Sequence, residues 1–77
     1  MDFSDALLAV KQGKKVRRRL WADLDGRIGE GIELVHPLLP DGRPVMPMLL
    51  CSKPDGTMTL FAGSQWDLLA EDWEVVP

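Results

Sequence analysis

One cysteine, Cys51, leaves no partner for a disulfide within the chain, and with His36 as the lone histidine the ligands for a four-coordinate zinc site are missing. No window is apolar for long enough to cross a bilayer, and Asp2 and Asp5 stand where a secretory signal would carry its basic region. A cytoplasmic location without membrane contact is therefore expected. Positive charge is also in short supply: nine Lys and Arg face twelve Asp and Glu, for a net charge of -3. Duplex nucleic acid, which needs a broad basic face, is a poor partner for such a chain. The 77 residues are read as one domain, 1–77, whose small size leaves much surface exposed and stability marginal. Assembly into a homo-oligomer is the simplest further support.

Catalytic chemistry is equally scarce. His36 precedes a proline and has no nucleophile with an orienting acid nearby, so a turn or surface role is expected for it. Cys51 lies in an apolar run and reads as an inert core thiol. Gly29 and Gly31 lack the following helix of a phosphate loop, and no Gly-Lys-Ser occurs. Asp67 and the Glu71-Asp72 pair read as a helix cap and a solvated face rather than paired catalytic carboxylates. The expectation is a protein that is not an enzyme, with no cofactor and no metal.

The organisation that is present begins with Phe3, Ala6, Leu7 and Val10 on one helical face, with Asp2 or Ser4 as cap and Gly13 as stop. Lys15 to Trp21 alternates around Val16 and Leu20 and predicts a strand that places Arg17, Arg19 and Trp21 together on the opposite face. Lys14, Lys15, Arg17, Arg18 and Arg19 form a basic block, either a solvated strand edge or a local anion site. Asp23 to Gly26 reads as a turn and Ile28 to His36 as a second strand, in which Gly29 and Gly31 mark a bulge or a close approach. Prolines 37, 40, 44 and 47 make the next segment an irregular loop.

Met48 to Cys51 and Thr57 to Phe61 are strand-like runs joined by Lys53-Pro-Asp-Gly56, a hairpin signal. Ser64 is placed to cap a short helix through Ala70, with Asp67 returning a bond as in a capping box, and Trp73 to Val76 closes the chain as a strand with Trp73 in the core. The predicted fold class is α+β: an N-terminal helix packed on a small twisted antiparallel sheet, with a short second helix before the C-terminal strand.

These residue types suit a small planar anion. A nucleotide offers a π-face, polar edges and phosphates, which call for aromatics, small polar groups and guanidinium groups. Trp21, Phe61 and Trp66 supply the first, Ser64, Gln65 and Asp67 the second, and Arg17, Arg18 or Arg19 the third. Stacking one base on an aromatic ring contributes on the order of 1–3 kcal/mol.

Gly13-Lys-Lys-Val-Arg-Arg-Arg-Leu-Trp21 and Phe61-Ala-Gly-Ser-Gln-Trp-Asp-Leu-Leu-Ala-Glu-Asp-Trp73 resemble the two signature segments of the Thoeris anti-defence two family of small phage and prophage proteins. The resemblance implies a sponge: a homotetramer of α+β subunits that binds cyclic ADP-ribose isomers, or in some members cyclic oligonucleotides, at subunit contacts and holds them intact. The family's arginine-x-x-tryptophan falls on Arg18 and Trp21, and its serine-x-x-aspartate on Ser64 and Asp67. Phe61 stands where a tryptophan is common, which keeps a stacking face and loses the indole donor. The expected ligand-binding set is thus Arg18, Trp21, Phe61, Ser64, Gln65 and Asp67. The competing class is a protein–protein interaction module of phage or prophage origin with no small-molecule ligand.

Overall fold

The computed structural model describes residues 1–25 and 27–77. The first helix, α1 (Phe3–Lys11), starts where Asp2 accepts a 2.9 Å bond from the Asp5 N–H, and it ends ahead of Gly13, whose φ of 88° only glycine adopts at little cost. Of the two expected caps, Asp2 is the one used. Its apolar stripe buries Ala6, Ala9 and Val10.

Strands β1 (Val16–Arg18), β2 (Gly31–Val35), β3 (Met48–Ser52), β4 (Met58–Leu60) and β5 (Trp73–Val75) form one antiparallel sheet in the order β4-β3-β2-β1-β5. Helix α1 lies against β5, β2 and β1, so one sheet face and this helix enclose the core of Val16, Ile32, Cys51 and Trp73. The architecture is α+β, as the sequence patterning predicts.

The strand expected over Lys15 to Trp21 is corrected. It stops at Arg18, and Arg19–Asp23 turns into a short helix, α2. Asp72 is the reason: its carbonyl accepts from the Arg19 N–H at 2.9 Å, and its carboxylate accepts from the Leu20 N–H at 3.1 Å. First-turn donors of α2 are thereby satisfied by a residue distant in sequence. Trp21 consequently turns inward and is buried, while Arg17 and Arg19 do not share a face with it.

The hairpin forms as read, with Lys53 N–H donating to the Thr57 carbonyl at 2.8 Å and Gly56 at a φ of 87°. Ser64 and Asp67 build the expected capping box at the start of α3 (Gln65–Leu68), which is shorter than the run to Ala70. The proline-rich segment is irregular and closes on itself through Val45 N–H to the Pro37 carbonyl at 3.0 Å. The turn expected at Asp23 to Gly26 includes Gly26, which lies outside the described residues.

Gly29 is a close approach. A Cβ there would meet the Cys51 sulfur at 2.6 Å and lie 3.9 Å from the Trp21 ring. Gly29→Ala is expected to destabilise the fold by about 1–3 kcal/mol, because the methyl must push the buried Cys51 sulfur off its position. Urea unfolding followed by tryptophan fluorescence checks this. An unchanged midpoint would show that the wall yields freely.

Candidate functional site

Once the hairpin is paired, side chains two apart share a face. Cys51 opposes Thr59 in the β3–β4 register, and the Phe61 N–H bonds to the Leu49 carbonyl at 3.0 Å, so Cys51, Lys53, Thr59 and Phe61 line up on one side. Trp21 from α2, Ile28 and Asp67 from α3 close the other walls. The result is a cleft of about 210 Å³.

Its aromatic wall is backed by packed rings. Phe61 packs at 6.1 Å from Phe3 and meets Trp73 edge-on at 6.2 Å, while Trp21 meets Trp73 edge-on at 5.5 Å. Trp21 is 3% exposed and therefore offers the cleft little stacking surface. Half-buried Phe61 offers more. Trp66, at 74% exposure, points its surface to solvent and is not among the cleft-lining residues.

Behind the cleft, Arg18 joins three segments. Its Nε donates to the Asp72 carboxylate at 2.8 Å and its terminal nitrogen to the Asp67 carboxylate at 3.0 Å. The other Asp67 oxygen accepts from the Ser64 N–H at 3.4 Å and hydroxyl at 3.2 Å. The Asp67 carbonyl takes the Trp73 indole N–H at 2.9 Å. The bond from Asp72 raises the Arg18 pKa above its ordinary value, against the opposing effect of burial. Asp72 feels burial as its largest single influence, which pushes its pKa upward. The bonds from Arg18 and the Leu20 N–H together outweigh that and hold it below the usual carboxylate range. Burial pushes the Cys51 thiol up, so this cleft-lining sulfur is held as the neutral thiol.

Of the six residues expected from the sequence, Trp21, Phe61 and Asp67 line the cleft together. Arg18 is attached to it through Asp67, Ser64 through the capping box, and exposed Gln65 lies on α3 outside the lining. The three arginines of the basic block are all engaged: Arg17 with Glu74 at 2.9 Å, Arg18 as above, and Arg19 with Asp23 at 3.4 Å. Sequence reasoning missed Ile28, Lys53 and Thr59. For the last two a signal existed, since the parity of the recognised hairpin puts both on the face of Phe61.

A second, larger cavity of about 360 Å³ lies beside Lys15, Arg17, Asp25 and Glu30. Size favours it and it holds Lys15 and Arg17 of the basic block, but it has no aromatic lining, its cations and acids balance, and it contains none of the six residues of the expected ligand-binding set. The smaller cleft is the better chemical candidate.

The two segments singled out in the sequence thus meet in space. Val16 to Arg18 pairs with Trp73 to Val75, and Arg18 bonds Asp67. A model of the Thoeris anti-defense 2-like domain (Tad2-like) matches residues 1–76 of the 77. The chain belongs to the Thoeris anti-defense 2-like family. No curated protein matches it. Family membership supports a role against the Thoeris defence, and the match runs through the proline-rich middle as well as both ends.

Proposed function

We propose that the protein binds and sequesters a nucleotide-derived immune signal, a cyclic ADP-ribose isomer or a cyclic oligonucleotide, in the cytoplasm of the host cell and does not cleave it. The observation that carries this reading is a cleft that combines the Phe61 ring, the Thr59 hydroxyl, the Asp67 carboxylate and the Lys53 ammonium. Phe61 is the stacking platform for a base. Thr59 and Asp67 accept from base edges or ribose hydroxyls.

Size supports assembly. Pockets that enclose a drug-sized molecule run to about 300–1,000 Å³, and the cleft holds about 210 Å³, room for one nucleoside half of such a messenger. A second copy of the chain supplies the remainder in a homo-oligomer, with a tetramer as the proposed state. Exposed Leu60 lines the cleft, and exposed Trp66 and Leu69 sit on or beside α3 next to it, an apolar margin suited to that contact.

Calorimetry with cyclic ADP-ribose isomers and cyclic di- and trinucleotides is expected to show at least one Kd tighter than micromolar, with the ligand recovered intact after long incubation. Phe61→Leu weakens that binding on the order of tenfold, the loss of a stacked face. Affinities no better than micromolar across the panel sink the proposal. The exposed Trp66 and Leu69 favour the second reading, a protein-interaction module. A stoichiometric co-purifying protein with no heat-released nucleotide would decide for that reading.

A further inference from the structure

We infer that Lys53 is the group in the cleft that contacts the phosphate of the bound nucleotide, a role that the sequence pattern assigns to one of three arginines. The inference rests on the sequestration reading above and identifies how its anionic part is held.

Charge commitments decide between the cations. Arg17 is tied to Glu74 and Arg18 to Asp67 and Asp72, while Arg19 makes an exposed pair with Asp23 and, like Arg17, lies outside the cleft lining. To turn Arg18 toward a ligand would strip two half-buried carboxylates of their shared partner, which is unfavourable in proportion to their desolvation. Lys53 is differently placed. It lines the cleft, and among the described residues no carboxylate forms an ion pair with it. Its Nζ donates to the Ile28 carbonyl at 2.8 Å. An ammonium has three donors, so two remain for a ligand.

Backbone bonds fix where this side chain starts, and one more meets its ammonium. Lys53 N–H donates to the Thr57 carbonyl at 2.8 Å, and the Lys53 carbonyl accepts from the Gly56 N–H at 3.0 Å, which locks the base of the side chain into the hairpin. The Ile28 carbonyl tethers the far end. That one exposed bond favours the rotamers that carry the ammonium to the cleft, so less freedom remains to be lost on binding. Asp67, the acid lining the same cleft, is turned to Arg18, which it shares with Asp72, and to the Ser64 cap. Lys53 is the cation among the residues that line the cleft, and it sits on the hairpin face that carries Thr59 and Phe61. A phosphate joined to a base stacked on Phe61 fits that arrangement, and lysine recognises phosphate as a point charge.

The test is calorimetric titration of the wild-type chain, Lys53→Gln and Lys53→Arg with the same cyclic ADP-ribose isomers and cyclic di- and trinucleotides, repeated at low and high salt. For each probe that wild type binds, Lys53→Gln is expected to weaken affinity about 10- to 100-fold, the loss of a charge-assisted bond. Lys53→Arg retains binding, and the salt dependence becomes shallower in Lys53→Gln than in wild type. A structural role alone would not change the salt slope. Equal affinity and equal salt slope in wild type and Lys53→Gln would overturn the assignment of Lys53 and leave sequestration standing. No binding of any probe by wild type would overturn both. Thermal melting of Lys53→Gln near the wild-type midpoint is expected, and should it melt early, loss of binding by the folded Lys53→Arg chain would overturn the assignment.

Discussion

Trp73→Ala is expected to remove most of the stability of the fold at 25 °C. Trp73 is 2% exposed, and its ring lies 5.3 Å from Phe3, 5.5 Å from Trp21 and 6.2 Å from Phe61, so three separate segments converge on one side chain. Truncation of a buried tryptophan to alanine costs about 3–5 kcal/mol, and domains as small as this one have total stabilities near the low end of about 5–15 kcal/mol. Trp73→Phe keeps a ring and loses the 2.9 Å bond to the Asp67 carbonyl, and it is expected to remain folded with a loss of about 1–3 kcal/mol. Far-ultraviolet circular dichroism with urea denaturation measures both. A Trp73→Ala chain with a wild-type midpoint would mean that the core is organised around some other residue.

Arg18→Met carries the second large effect, roughly 1–3 kcal/mol of lost stability. The side chain is 15% exposed and its two carboxylate partners are 20% and 35% exposed, so the loss falls between that of a surface pair and that of a fully buried one. Methionine preserves the stem and removes the fork that spans Asp67 and Asp72. Arg18→Lys keeps the charge yet reaches one carboxylate at a time, and an intermediate loss is expected.

A pH signature accompanies the change. Asp72 has a depressed pKa in the folded chain, so its contribution is fully present above the unfolded aspartate value of about 4 and disappears as pH falls through the folded value. Wild type should therefore lose stability on acidification below about pH 4, and Arg18→Met should show a shallower decline over the same window. Parallel acid profiles for the two proteins would remove the ion triad from the account of stability.

Much of the architecture was legible because its signals are local. Asp2 and Gly13 bracket α1, Pro54-Asp-Gly56 turns the hairpin, and Ser64 with Asp67 forms the capping box. Each depends on backbone groups within a few residues, where hydrogen-bonding preference and allowed dihedrals dominate. The same locality made Trp73 readable as core, since it opens the last apolar strand. The candidate cleft is legible in part: Phe61, Asp67 and Trp21 stand out in the sequence and line it together, while Lys53 and Thr59 follow only from the parity of the hairpin.

Residues 19 to 23 show where local reasoning stops. Alternation of polar and apolar side chains from Lys15 to Trp21 favours a strand, yet Asp72 supplies the donors' partners for a helical turn from the far end of the chain. That contact sends Trp21 inward and commits Arg18 to two acids. By itself the sequence determined the elements bounded by their own caps and turns, the α+β class and the family. The direction of Trp21, the pairing of the arginines and the freedom of Lys53 were decided by tertiary structure, because a charge or an open hydrogen bond takes whichever partner the folded chain brings within about 3 Å.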